Sequence, residues 1–189
     1  MSERDIKVQA IINPISGVGS KRKIPKMIEG ICSKKNCSLN ISFTEYAGHA
    51  SELTRQAIEE GAEYILAVGV GMDPVNEIAR AMIHSNAILG IIPKGSGNGL
   101  ARELHIPMDV KRAIDLIAKG HVTTIDCCRA NGQVFFCTCG VGFDAFVSLK
   151  FAHAGKRGLL TYLEKTLQES LKYQPETYEL ETENGVSKY

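Results

Sequence analysis

Short apolar runs alternate with stretches of helical spacing over the first two-thirds of the chain. Four apolar or alternating runs predict β-strands, and these cover Ile6–Ile12, 39–43, 64–68 and 87–92. Apolar residues at three- and four-residue intervals predict helices over 21–32, over 51–62, from Asp73-Pro74 onward and over 108–118. Repeated strand-helix units are typical of a mainly parallel sheet covered on both faces, so we expect an α/β fold.

The pattern changes after residue 120. Two strand-like stretches, 121–130 and 133–139, flank Asn131-Gly132, and an Asn-Gly pair between such stretches is a strong hairpin signal. Leucines spaced by four predict an amphipathic helix over 156–173, and alternation predicts a strand over 177–183 for which the last residues supply no partner. The expected domains are therefore an α/β domain over 1–128 and the start of an incomplete antiparallel β domain over 129–189.

Composition and charge fit an ordinary globular protein. Of 189 residues, 44% are apolar and 23% charged, and the net charge is +1, so we expect no nucleic-acid partner. No apolar run approaches the roughly 18 residues of a membrane-spanning helix, and the polar first residues do not resemble a signal peptide, which favours a cytoplasmic protein. The six cysteines lack the usual zinc-site spacing, so we expect reduced thiols; no metal ligands and no oligomeric state are assigned.

Glycine-rich loops follow three of the four predicted parallel strands. They read N-P-I-S-G at 13–17, G-V-G-M-D-P at 69–74 and P-K-G-S-G-N-G at 93–99. Because parallel strands end at one sheet edge, and because glycine lets backbone amides approach an anion, phosphate is the expected ligand class. Taken alone, each loop is explained at least as well by a tight turn between a strand and a helix. Neither the P-loop nor the dinucleotide fingerprint is intact, which disfavours P-loop enzymes and Rossmann dehydrogenases.

Four motifs carry a more specific signal. They are N-P-x-S-G at 13–17, T-E-Y-A-G-H-A at 44–50, P-K-G-S-G-N-G-L-A-R at 93–102 and G-V-G-F-D-A at 140–145. Together they resemble the motifs of the diacylglycerol kinase and sphingosine kinase superfamily, particularly its bacterial soluble members. The third and fourth motifs in combination are highly specific, and the resemblance runs nearly end to end.

The resemblance implies an NAD kinase/diacylglycerol kinase-like nucleotide-binding domain over 1–128 and the beginning of a lipid-binding β-sandwich over 129–189. It implies a kinase that uses ATP and Mg²⁺ to phosphorylate the hydroxyl of a diacylglycerol- or sphingoid-like lipid, in transient contact with a membrane surface. Such a reaction depends mainly on positioning and charge neutralisation. Matching the motifs residue by residue gives the nucleotide-binding candidates Asn13, Ser16, Gly17, Thr44, Gly69, Gly71, Asn76, Glu77, Gly95, Ser96, Gly97 and Asn98.

The central loop departs from the family pattern, which has G-G-D-G-T before V-N-E. Here Val75-Asn76-Glu77 follows a stretch one residue longer, which puts Asp73 one place late. Asp73 is the candidate catalytic residue if the loop is bulged, and otherwise a helix cap. The family's general base would lie beyond Tyr189, so either the chain is a fragment or catalysis has been lost. A non-catalytic nucleotide-binding or regulatory relative and, with less support, an NAD kinase are the alternatives.

Overall fold

A computed structural model describes residues 5–14, 23–33, 35–69, 72–95, 97–136, 138–152, 166 and 173–189, and at 72, 73 and 149–152 it describes the backbone only. The chain divides into two compact units, residues 1–137 and residues 138–189. The domain limits expected from the sequence, 1–128 and 129–189, stay a prediction.

The first unit is built on a four-stranded parallel sheet, which confirms the α/β fold. Its strands are β1 (Ile6–Ile12), β2 (Cys37–Phe43), β3 (Tyr64–Val68) and β4 (Ile88–Ile92). They lie in the order β2-β1-β3-β4. The helices of this unit are α1 (Ile24–Cys32), α2 (His49–Glu59), α3 (Met72–Met82), α4 (Gly99–Glu103) and α5 (Val110–Ala118).

Helices cover both faces of this sheet. On one face, strand residues such as Ile11 and Ile65 belong to a core with α2, α3 and α4. On the other face, Val8, Leu66 and Ile92 belong to a core with α1 and α5. Because neither face meets water, the strands need apolar residues at successive positions, which explains the near-continuous apolar runs of β3 and β4.

Local sequence sets where the helices begin. The Asp109 carboxylate caps α5 by accepting a hydrogen bond from the Arg112 backbone N–H at 2.9 Å. Helix α3 begins at Met72, one residue ahead of the expected Asp73-Pro74 start, so Asp73 lies inside the first turn. Pro74 fits this turn because the N–H that proline lacks would have no acceptor within the helix.

The Asn131-Gly132 hairpin is confirmed, but its strands are shorter than expected. β5 (Cys128–Ala130) pairs antiparallel with β6 (Gln133–Phe135), and the two turn residues have φ of 48° and 77°, as a tight hairpin turn requires. The strand predicted over 121–130 is wrong for 121–127, and the one over 133–139 extends only to Phe135. Among the described residues no strand pairs with 121–127. These residues therefore form no β-ladder, although apolar and polar side chains alternate along them.

The second unit contains α6 (Phe143–Ala152) and a hairpin of β7 (Glu179–Thr182) and β8 (Gly185–Lys188). The expectation that the strand over 177–183 lacks a partner is wrong, because the chain turns back after Thr182 and Gly185 enters β8 with a φ of 116°. The helix predicted over 156–173 lies almost wholly outside the described residues. Across the described ranges, no helix is both long and apolar enough to cross a membrane.

Replacing Gly90 by alanine should destabilise the first unit by about 1–3 kcal/mol, because the added methyl group forces neighbouring side chains to shift. A Cβ atom at Gly90 would lie 2.6 Å from Leu66 Cδ2 and 3.1 Å from Ile117 Cδ1. The control is Gly30→Ala on α1, where nothing lies within 4 Å of the added Cβ; better helix propensity should stabilise that variant by up to about 1 kcal/mol. Urea denaturation compares them, and equal midpoints would contradict the close approach of β4 and α5.

Candidate functional site

The carboxyl ends of the four strands form a single row. The register pairs Ile12 with Phe43 and with Val68, and Val68 with Ile92. One residue further on, the backbone N–H groups of Thr44, Asn13 and Gly69 donate hydrogen bonds to Ile12, Val68 and Ile92 at 2.9, 3.4 and 3.0 Å. Thr44, Asn13, Gly69 and Pro93 therefore leave the sheet side by side, and we call these four residues the strand-tip row.

Gly69 gives the centre of this row its backbone shape. Its φ of 68° lies in the left-handed region, where a side chain costs roughly 1–2 kcal/mol. Thr44 and Gly69 are buried, and Asn13 is half-buried. The row thus carries three of the predicted nucleotide residues on three adjacent strands. Five other predicted positions lie outside the described residues or, for Asp73, outside the described side chains; they are Ser16, Gly17, Gly71, Asp73 and Ser96.

The loop after β4 is held in shape by its own side chains. Asn98 adopts a φ of 54° just before α4, and its Nδ2 donates to the Gly95 carbonyl at 2.9 Å. Arg102 closes the loop from the other side, because its Nε donates to the Gly97 carbonyl at 2.9 Å. These bonds turn Gly95, Gly97 and Asn98 into one compact loop beside the strand-tip row.

Asn98 also retains an unsatisfied atom. Its Oδ1 is buried without a hydrogen-bond partner, and no other buried side-chain nitrogen or oxygen in the described part of the chain shares this condition. Leaving a buried acceptor unpaired usually has a functional or structural reason. Here the atom lies inside a loop that the sequence assigns to nucleotide binding.

The segment after β2 forms a closed turn that leads into α2. The Tyr46 and His49 rings stack with centroids 4.4 Å apart, and His49 Nδ1 accepts from the Glu45 backbone N–H at 3.2 Å. The Tyr46 hydroxyl donates to the Glu52 carboxylate at 2.7 Å, and this bond raises the pKa of Tyr46. The turn fixes the chain that continues from Thr44.

Helix α3 connects the strand-tip row to two other elements. Glu77 Oε1 accepts from the Gly48 backbone N–H at 3.0 Å, at the start of α2. Asn76 Oδ1 accepts from the Phe136 backbone N–H at 3.1 Å, at the end of β6. Arg80, which sequence reasoning missed, donates from Nε to the Val134 carbonyl at 2.5 Å; its i, i+4 spacing from Asn76 was the available signal. In this structure Asn76 and Glu77 hold neighbouring elements in place.

Replacing Glu77 by alanine should lower the free energy of unfolding by about 1–3 kcal/mol, because the Gly48 N–H loses its acceptor. Glu77→Gln keeps an oxygen at the same position and should lose less than about 1 kcal/mol. Urea denaturation of the two variants measures this difference. An equal loss in both would contradict the assigned hydrogen bond.

The G-V-G-F-D-A motif lies in the second unit, at the start of α6. Gly142 has a φ of 85°, and Asp144 is exposed in the first turn of the helix. A side chain at Gly140 would collide with the Asp144 carboxylate. Gly140 therefore lets that carboxylate fold back onto the preceding backbone, which is a turn-forming arrangement.

The N–H groups of Asn13, Thr44 and Gly69 donate within the sheet and Pro93 has none, so the backbone groups available for a ligand are those of the loops that follow the strand-tip row. Lys94 directly follows Pro93 and is half-buried. It is the cationic side chain next to the row in the sequence. The described residues contain no group of three or more His, Cys, Asp or Glu side chains that could hold a metal ion. Mg²⁺ usually binds through substrate phosphates and only one or two carboxylates, so this donor set is compatible with a metal that arrives on a nucleotide.

Comparison with known proteins agrees with this arrangement. The family model described as the diacylglycerol kinase catalytic domain matches residues 7–130. The diacylglycerol kinase of Staphylococcus saprophyticus is 31% identical over 132 residues, which cover 68% of this chain and 43% of that protein. The corresponding protein of Staphylococcus carnosus is 29% identical over 132 residues, with 68% and 42% covered.

A solved structure gives the same result for the fold. A diacylglycerol kinase from Bacillus anthracis superposes with a TM-score of 0.61 at 26% identity, and the match covers 71% of this chain and 49% of that one. The chain thus spans less than half the length of the curated relatives that it matches.

Proposed function

This chain belongs to the diacylglycerol kinase catalytic domain family, and on that premise we propose that its first unit binds ATP with Mg²⁺ along the strand-tip row. This binding would serve transfer of the γ-phosphoryl group to the hydroxyl of a lipid. The observation that carries the proposal is the alignment of three loops on the adjacent strands β1, β3 and β4. Open α/β sheets bind ligands at this edge.

The strand-tip row offers what phosphates need. Backbone amides at glycines can approach an anion closely, and the loop after β4 carries Gly95 and Gly97 next to the row, whereas the Gly69 N–H donates to Ile92 within the sheet. Lys94 would add a full charge. Mg²⁺, when bound, would neutralise charge on the phosphates. Asn13, Thr44, Gly69, Gly95, Gly97 and Asn98 would orient the nucleotide, with Ser16, Gly17, Gly71 and Ser96 assigned by sequence alone.

Asn76 and Glu77 have a different place in this proposal. Because their side chains bind the backbone of Phe136 and Gly48, they would act by holding the walls of the site. Asp73, in the first turn of α3, is proposed as the residue next to the reacting phosphate. The group that takes the proton from the lipid hydroxyl is not assigned among these residues.

The lipid acceptor is proposed from the relatives. They are named diacylglycerol kinases, so a diacylglycerol is the first acceptor to test and a sphingoid base the second. Such an enzyme would work in the cytoplasm and touch a membrane surface transiently. Residues 129–189 would begin the part that meets the lipid.

One observation favours a second function, a non-catalytic nucleotide-binding or regulatory relative. The stretch before Val75-Asn76-Glu77 is one residue longer than the family pattern, with methionine and proline near the expected phosphate position. Under this alternative the protein binds ATP and phosphorylates nothing. An NAD kinase has less support, because the 93–102 motif resembles that of lipid kinases.

The test combines binding with turnover. ATP with Mg²⁺ is titrated by calorimetry, and phosphorylation of short-chain diacylglycerol, sphingosine and NAD is measured with labelled ATP. Saturable binding with lipid phosphorylation is expected. Binding without turnover would favour the regulatory alternative, especially if restoring G-G-D-G-T creates activity. Absence of binding at millimolar ATP would contradict the proposal, and preference for NAD would identify an NAD kinase.

A further inference from the structure

An apolar cavity of about 210 Å³ lies at the opposite edge of the parallel sheet. It is half open and is bordered by the first residues of β1, β2 and β3, by Leu66 within β3, by Ile92 at the end of β4 and by the last turns of α1 and α5. We call it the amino-edge cavity. Its lining includes Ile28, Cys32, Lys35, Leu66, Ile92 and Ile114.

The interior of the amino-edge cavity accepts only an apolar occupant. Its walls are mostly aliphatic side chains, together with the Cys32 and Cys37 thiols. Burial, reinforced by the neighbouring Cys37, raises the pKa of Cys32 to about 11, so this thiol is neutral at physiological pH. Apolar cavities of about 150 Å³ in proteins stay dry and take up molecules the size of benzene. This cavity is larger and suits an alkyl chain.

The mouth of the cavity has a different character. Lys35 lies in the exposed turn between α1 and β2 and belongs to the lining. Because a lysine lays its aliphatic stem along apolar surface and keeps its charge in water, we expect the Lys35 ammonium group at the opening of the cavity. A carboxylate attached to an alkyl chain in the cavity would face a complementary charge at this position.

The amino-edge cavity is separate from the proposed nucleotide site. Val8 lines the cavity, and Asn13 lies five residues further along the same strand direction, which at about 3.3 Å per residue separates them by roughly 17 Å. Ile92, which also lines the cavity, directly precedes Pro93, but the cavity lining and the proposed nucleotide site have no residue in common. The inference therefore stands or falls independently of the proposed function.

We propose that the amino-edge cavity binds a medium-chain alkyl carboxylate, with the chain against Ile28, Leu66 and Ile114 and the carboxylate at Lys35. Chain length then sets affinity, because each buried methylene is worth roughly a fourfold change. The head group adds less, because an exposed ion pair contributes about twofold to fivefold.

Octanoate is the probe, and the 189-residue chain is titrated by calorimetry. Octanoate should bind saturably, about fifteenfold tighter than hexanoate and severalfold tighter than octanol. Lys35→Ala should weaken octanoate binding about twofold to fivefold, whereas the control Lys26→Ala, on the exposed side of α1, should not. Ala118→Phe should fill the cavity and weaken binding by more than about tenfold.

Thiol protection supplies a measurement that needs no variant. Octanoate should slow alkylation of Cys37, which lines the cavity, and leave the exposed Cys127 and Cys128 unaffected. No saturable octanoate binding, no protection of Cys37, or equal affinity for octanol would overturn the proposal. A dimer that Ala118→Phe dissociates would also overturn it, because a second copy would then occupy the cavity.

Discussion

Gly69→Val should abolish measurable ATP binding. Gly69 has a φ of 68° at the centre of the strand-tip row, and a β-branched residue there would cost at least about 1–2 kcal/mol in backbone strain. The valine side chain would also occupy space next to the amides that we assign to the phosphates. The two effects together should lower ATP affinity by more than about a hundredfold, as measured by calorimetry with Mg²⁺ present.

Gly61→Val is the matched control. Gly61 follows α2 with a φ of 86°, and an added Cβ would meet Lys7 Nζ at an ordinary distance of 3.7 Å. Because Gly61 precedes β3 and Gly69 follows it, the control carries a similar backbone strain at the far end of the same strand. It should melt at a lower temperature yet bind ATP as the wild type does. Equal loss of ATP binding in both variants would contradict the site assignment.

Asn98→Ala should weaken ATP binding by about tenfold and lower the free energy of unfolding by about 1–2 kcal/mol. The substitution removes the 2.9 Å hydrogen bond from Nδ2 to the Gly95 carbonyl. It also places alanine at a φ of 54°, which disfavours the loop shape. Calorimetry and thermal melting measure the two effects.

Asn98→Gly separates the side chain from the backbone. Glycine adopts the same left-handed conformation without strain but cannot hold Gly95. We expect this variant to recover most of the lost stability, whereas its ATP affinity should stay low. Wild-type affinity in Asn98→Gly would show that the Asn98 amide has no part in shaping the loop for nucleotide.

The parallel sheet could be predicted because burial on both faces leaves a direct trace in the sequence. The runs Ile6–Ile12 and 64–68 are found as strands with the same bounds. The loops after β1, β3 and β4 were predictable as neighbours for the same reason, since parallel strands end at one edge. The 121–127 stretch shows the limit of this reasoning. Alternation records which side chains could be buried, and it does not supply a partner strand.

The roles of Asn76 and Glu77 could not be read from the sequence. Glu77 meets Gly48 across 29 positions, and Asn76 meets Phe136 across 60. Such pairings depend on how α3 packs against α2 and the β5–β6 hairpin. Motif matching assigned both residues to the nucleotide, which stays a prediction, but it gave no sign of the hydrogen bonds that their side chains make to backbone groups of other elements. The amino-edge cavity could not be predicted from the sequence either, because its lining combines residues of four strands with residues of α1 and α5.

The most direct test of the central claim is an amide NMR titration of the protein with ATP and Mg²⁺. The amide signals of Asn13, Thr44, Gly69, Gly95 and Gly97 should shift together and saturate at one nucleotide per chain. The signals of Gly61 and Gly120, at the other edge of the sheet, should stay in place. Saturating shifts centred on Gly61 and Gly120, or no shifts at the strand-tip row, would contradict a nucleotide site there.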